Sequence, residues 1–443
     1  MRLEPQEAAR LPLPAALVDP EGEVVTATPE WRGPAPGTVP YHAGYGHLLV
    51  APDVPAPELD VLMGRLLEEL EAAAAGGGEA GRRTEVVRAG LALVAGRPLT
   101  GRGTAETVVE LARAAVRART QGLELEVDAP PPPVTVPAPG AVALAIVQLA
   151  VNAWRHEGAS RVALRVDPVP TFWVEWPSTL AEPPAIRTHR HAARRRGWGW
   201  GYVQMVADAL GAVALPPAPA GPGRRGAGLG LGSPCLTLPL ACVRRGRVER
   251  STPAWDEDPA MPHLGAPAGG LLGRLVADAL AREGQVVYHD LYRARATGDR
   301  TWVALAPESG SNRARDLLHG LRHERALWEA PEPHASRVAA LATLLEVALG
   351  APWPSVPPSV YAEVLPAACR ALGTRCPEPL EVPALPEPRV VAYLLAELGG
   401  RLVQRGEGVF VVPAPGTAAS PLGRALRAGP GGWIRINEAL DPG

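Results

Sequence analysis

The chain contains no lysine, so all 44 of its basic residues are arginine. Without lysine there is no Walker-type phosphate loop, no lysine Schiff base and no strand lysine of the eukaryotic protein-kinase kind. Cysteine is sparse. Cys235, Cys242, Cys369 and Cys376 form two pairs whose spacing is wider than that of zinc ligands, which predicts free, partly buried thiols in a reducing cytoplasm. No long apolar run is present: the longest, Ala141 to Val151, is too short to span a bilayer and contains Gln148, so no direct membrane insertion is expected. The start of the chain, with Glu4, Glu7 and Pro14, does not read as a signal peptide. A net charge of −2 and a pI near 6.6 remove the electrostatic basis for nucleic-acid binding.

What is present describes a globular protein. Its 443 residues suffice for about three domains of roughly 150 residues. Hydrophobic residues make up 47% and charged residues 20%, which excludes a charge-dominated disordered chain. The 48 glycines and 51 prolines place linkers and turns between compact pieces.

Short strands separated by turns are expected over Leu13 to Pro52, including a hairpin at Asp19-Pro-Glu-Gly22. Leu59, Leu62, Leu66, Leu67 and Leu70 recur at helical spacing, and a second helix is expected from about Thr104 to Arg119. Between Ala141 and His156 a nearly all-apolar helix carries Gln148, Asn152 and His156 on one stripe. Asparagine is a poor helix-interior residue, and this chain has only three. Two readings stand for this stripe: a polar contact to a neighbouring loop, or a site that coordinates a cation or activates a water. Further on, Gly197-Trp-Gly-Trp-Gly201 leads into a helix predicted over Tyr202 to Leu210 and closed by Gly211. The residues before it, Arg187 to Arg196, are basic rather than a hydrophobic strand, which disfavours a dinucleotide fold. Arg187, Arg190, Arg194, Arg195 and Arg196 suit either phosphate neutralisation or a solvated loop.

In order, these motifs resemble the ATP-binding domain shared by sensor histidine kinases, DNA gyrase, mismatch-repair ATPases and one class of heat-shock chaperones. Gln148-Leu-Ala-Val-Asn152-Ala-Trp-Arg-His156 resembles the helix whose asparagine holds the magnesium of Mg-ATP, and Gly197 to Gly211 resembles the glycine box that forms a lid over the phosphates. The resemblance covers about half the chain, residues 10 to 243, and implies ATP and magnesium as cofactors. Asn152 would be the magnesium ligand through ATP, Gln148 and His156 its companions on the stripe, and Gly197, Gly199 and Gly201 the lid. Glu175 would stand for the acid that contacts adenine, although no glycine follows it in Glu175-Trp-Pro-Ser-Thr179. A glutamine at 148 cannot act as general base, which favours the phosphotransferring branch over the hydrolysing one.

The implied fold is α+β. It comprises a small PAS-like sensory module (10–52), a dimerising helical hairpin (56–120), an α/β sandwich of the histidine-kinase ATPase type (121–243), a linker (244–270) and a C-terminal α+β region (271–443). The implied function is that of a cytoplasmic, homodimeric histidine-kinase-like signalling protein acting with a response regulator or partner kinase. Residues 58 to 119 contain no histidine. Leu318-His-Gly-Leu-Arg-His323-Glu resembles the Arg-His-Asp/Glu start of acceptor helices in some kinases and sporulation phosphotransferases, which makes His323 the candidate phosphoacceptor; His319 and His323 also suit a weak metal pair or a solvated face. The alternatives are a catalytically inactive pseudokinase scaffold and an ATP-independent phosphorelay intermediate. A faint internal repeat, in which Tyr361 to Val412 echoes Val108 to Val166 at an offset of about 250 residues, sets Asn152 opposite Arg401.

Overall fold

The computed structural model describes residues 3–437 apart from 35–37, 45, 52–56, 95–96, 98, 100, 121, 179–197, 233–234, 257–260, 290–291, 306–330, 349–351, 383–384, 418–419 and 427–432. The chain divides into two compact units: Met1–Pro55 with Ala92–Ala314, and Ala56–Leu91 with Arg315–Gly443. The span 56–120, expected as a single hairpin, is thus shared between them.

The first unit begins with α1 (Pro5–Ala8), β1 (Ala15–Val18), β2 (Val24–Ala27), β3 (Val39–His42) and β4 (His47–Val50). These four strands form an antiparallel sheet in the order β2-β1-β4-β3. The expected hairpin joins β1 to β2. Its turn is held by the Asp19 carboxylate, which accepts from the backbone N–H of Glu21 (3.1 Å) and of Glu23 (2.8 Å).

Next come β5 (Arg102–Thr104), α4 (Ala105–Arg119), β6 (Glu124–Val127), β7 (Thr135–Pro137), α5 (Pro139–Glu157), β8 (Arg161–Val166), β9 (Thr171–Pro177), α6 (Trp198–Leu210), β10 (Val213–Gly221) and β11 (Arg224–Gly230). β5 and β7 pair alone, and the other strands form a sheet ordered β10-β11-β9-β8-β6. Among the described strands of this sheet, β6 and β8 pair parallel, as the crossover through α5 requires. Strand parity assigns the faces. Phe172, Val174 and Trp176 of β9 and Val162 and Leu164 of β8 are buried on the side covered by helices. Arg161, Arg165, Trp173 and Glu175 line the opposite face.

A second five-stranded sheet closes the unit: β12 (Leu240–Arg244), β13 (Arg247–Ser251), α7 (Pro253–Asp256), α8 (Gly270–Ala281), β14 (Val286–His289), β15 (Tyr292–Thr297) and β16 (Arg300–Leu305), in the order β13-β12-β16-β15-β14. One face packs under Leu272, Leu275, Val276 and Ala279 of α8. The other shares a core with the N-terminal sheet. The span 244–270 is therefore not a linker. Its arginines and glycine form the tight turn of the β12–β13 hairpin, and the flanking residues Leu240 to Val243 and Val248 are buried.

The second unit contains α2 (Pro57–Ala75), α3 (Gly78–Val94), α9 (His334–Ala348), β17 (Ser355–Val356), α10 (Pro358–Ala371), β18 (Leu385–Pro386), α11 (Pro388–Leu398), β19 (Arg401–Arg405), β20 (Gly408–Val412), α12 (Pro421–Ala425) and β21 (Ile434–Arg435). The apolar stripe Leu62, Leu66, Leu70 and Ala73 of α2 is buried. α2 packs against α9, where Ala73 meets Ala335, and Glu69 accepts from Arg337 (2.9 Å) and pairs with the His334 ring (2.8 Å).

All four cysteines are free, with Cys242 and Cys369 buried, Cys235 partly exposed and Cys376 exposed. Burial pushes the Cys242 thiol up to about 11. No helix among the described residues is long and apolar enough to cross a membrane, and no cluster of metal-ligating side chains occurs among them.

Candidate functional site

α5 forms because apolar residues surround it. It opens with proline in its first turn, where the missing N–H costs nothing, and closes on Gly158 at φ +67°, a left-handed cap. Its polar stripe runs from core to solvent: Gln148 is buried, Asn152 half-buried and His156 exposed. Among the described residues no hydrogen bond ties down the Asn152 side chain. At the end of the helix, Glu157 lies 3.6 Å from Arg225, which is buried on the helix-covered face of β11.

α6 packs along α5 and starts one turn earlier than its sequence suggests. Trp198 is its first residue, so Gly199 and Gly201 belong to its first turn rather than to a loop ahead of it. Glycine is a poor helix former, which hid this turn from propensity reasoning. Gly197 and the basic run Arg187 to Arg196 lie outside the described residues, as do His319 and His323.

Glu175 does not join Asn152. It lies on the face of β9 away from α5, where its carboxylate accepts from Arg165 (3.0 Å) and sits 3.7 Å from Arg224. The adjacent inner-face position holds Trp176, buried with its indole N–H unpartnered. The structure thus brings together Gln148, Asn152 and His156 on one helix and packs that helix against the one bearing Gly199 and Gly201. It sets Glu175 apart. An amide oxygen at Asn152 suits the magnesium of a nucleotide; an acid for the adenine edge is not supplied by Glu175.

Sequence reasoning missed a second set of residues at the far end of α6. There the N-terminal sheet docks on the helix. The His47 ring is buried there beside the Ala209 carbonyl, with its Nδ1 unpartnered. Burial, with a smaller contribution from His42, pushes His47 down to about 4; the Ala209 carbonyl acts the other way. Burial also lowers His42, whose ring centroid lies 6.2 Å from that of His47. The one sequence signal was two histidines flanking a tight hairpin.

No family model matches the chain, and no curated protein matches it significantly. Solved structures do. The ATP-binding domain of PrrB from Mycobacterium tuberculosis is 20% identical over 30% of this chain and 97% of its own, with a TM-score of 0.24. The histidine kinase domain of a blue-light activated histidine kinase from Erythrobacter litoralis is 15% identical over 39% of this chain and 94% of its own, with a TM-score of 0.25. A longer form of that kinase is 17% identical over 42% of this chain and 64% of its own, with a TM-score of 0.24.

Proposed function

We propose that the protein is a histidine-kinase-like signalling protein whose first α/β domain, from α4 to β11, binds a magnesium nucleotide weakly through Asn152. The observation that carries this reading is the half-buried place of Asn152 on a helix packed beside α6. ATP would supply the transferable γ-phosphoryl group and, with magnesium, the charge that Asn152 helps to orient. Gln148 would hold the helix face dry and polar one turn earlier, and the first turn of α6 would offer backbone N–H groups to the phosphates. His323 is the proposed acceptor, and a response regulator or partner kinase the proposed recipient of the signal. The N-terminal sheet, seated on the end of α6, gives a sensed event a direct route to the nucleotide-facing helix.

The placement of Glu175 supports a second reading. With no acid among the described residues of the inner sheet face and Trp176 filling the adjacent position, the same domain would serve as a pseudokinase platform for a partner. Calorimetric titration with a non-hydrolysable ATP analogue and magnesium separates the two. Under the first reading the protein binds, and Asn152→Ala weakens binding at least about tenfold, or about 1.4 kcal/mol. Absence of binding at millimolar ligand assigns the domain to the platform role.

A further inference from the structure

We infer that the chain is a tandem duplication whose two copies pair with each other inside one molecule, so that the surfaces a homodimer would use are already occupied in cis. The first copy runs from α1 to β11, the second from β12 to β21.

The sensory ends carry the clearest signature. Leu13-Pro14-Ala15-Ala16 and Thr28-Pro29-Glu30-Trp31 match Leu238-Pro239-Leu240-Ala241 and Thr252-Pro253-Ala254-Trp255. Their hydrogen bonds match as well. The Thr28 hydroxyl donates to the Leu13 carbonyl (2.9 Å) and accepts from the Ala15 N–H (3.0 Å). The Thr252 hydroxyl donates to the Leu238 carbonyl (2.7 Å) and accepts from the Leu240 N–H (3.1 Å). Thr28 N–H donates to Ala15 as Thr252 N–H does to Leu240, and Ala51 N–H donates to Pro14 as Leu305 N–H does to Pro239. Strand order β2-β1-β4-β3 repeats as β13-β12-β16-β15, with β14 added at the edge.

The rest of each copy follows in step. α3 precedes β5 as α9 precedes β17, and each short strand pairs across a helix with a second, β5 with β7 and β17 with β18. α4 packs on α5 as α10 packs on α11. α5 and α11 both begin with proline in the first turn, both end on a left-handed glycine, Gly158 or Gly399, and both lead into an antiparallel hairpin. Counted back from that glycine, the place of Asn152 is taken in α11 by Tyr393. Arg401, expected opposite Asn152, is the first residue of β19.

Each unit contains parts of both copies. In the first, the core between the sheets takes equivalent positions from each: Leu13 and Leu238, Ala15 and Leu240, Leu17 and Cys242, Leu48 and Trp302, Val50 and Ala304. A contact that buries the same patch from both partners is the mark of a twofold interface. In the second, α2 of the first copy meets the second copy: Glu69 holds His334 and Arg337, and Arg65 donates to the Tyr393 hydroxyl (3.3 Å) and to Glu397. The residue standing where the first copy has its ligand-facing asparagine thus clasps a helix of the other copy.

Two measurements on the full chain test this. Light scattering at micromolar concentration is expected to give the single-chain mass of 46.4 kDa; a stable species of twice that mass overturns the inference. Glu69→Arg and Arg337→Glu are each expected to lower the melting temperature by about 4 °C, and the double variant to recover most of it. A mixture of the two single variants is expected to recover nothing. Recovery in the mixture, which only pairing between chains allows, or no recovery in the double variant, overturns the inference equally.

Discussion

Gly211→Ala is expected to destabilise the first unit by about 3 kcal/mol, close to 8 °C in melting temperature. Gly211 closes α6 at φ +64°, and a Cβ built there stands 2.7 Å from the carbonyl oxygen of Cys235, 2.8 Å from its nitrogen and 3.0 Å from the Cβ of His42. Those neighbours are backbone atoms and the root of a side chain, which no rotamer change can clear. The left-handed conformation alone costs about 1 kcal/mol for alanine; crowding supplies about 2 kcal/mol more. Gly158→Ala is the internal control. It caps α5 at φ +67° with nothing within 4 Å of the added Cβ, so it is expected to lose only the conformational part. Equal losses in the two variants, measured by thermal denaturation, would show that the Cys235 backbone and His42 are not packed against the end of α6.

The second large effect is a pH dependence. His47 is neutral in the folded protein down to about 4, whereas in the unfolded chain it titrates near its usual 6.5. Between these values the unfolded state binds more protons, so stability is full above the unfolded value and falls as pH drops through the window. By about pH 5 the loss from this group is about 2 kcal/mol. His47→Gln keeps a polar side chain beside the Ala209 carbonyl and removes the titration. Urea unfolding of both proteins at about pH 7.5 and pH 5 is expected to show that loss in the wild type and its absence in the variant; the same pH dependence in both would discard the assignment.

Local periodicity made the site helix and its stripe legible. Apolar residues around Asn152, and glycines closing α5 and α6, determine those elements within a few turns of chain. The face of Glu175 was also within reach, because Phe172, Val174 and Trp176 alternate with it, and the same period that buries them turns it away. What lay hidden depends on distant chain. The hairpin at Arg244 to Arg247 reads as a basic linker until Trp302, from the neighbouring strand, covers Cys242. α2 looks like half of a local hairpin, yet its polar partners His334 and Arg337 lie in a helix near the other end of the chain. Nothing in the spacing of leucines names that partner.

Joining two copies in one chain changes what substitution can do to them. In a symmetric homodimer every change appears on both sides of the axis, so a loss on one side is a loss on both. Here the two sides are separate stretches of sequence. One α/β half keeps Asn152 and the glycines of α6, while the other has shortened the corresponding helix and placed Tyr393 against Arg65. The peptide link holds the halves at a fixed one-to-one ratio and a high effective concentration, so each is free to specialise without losing its partner.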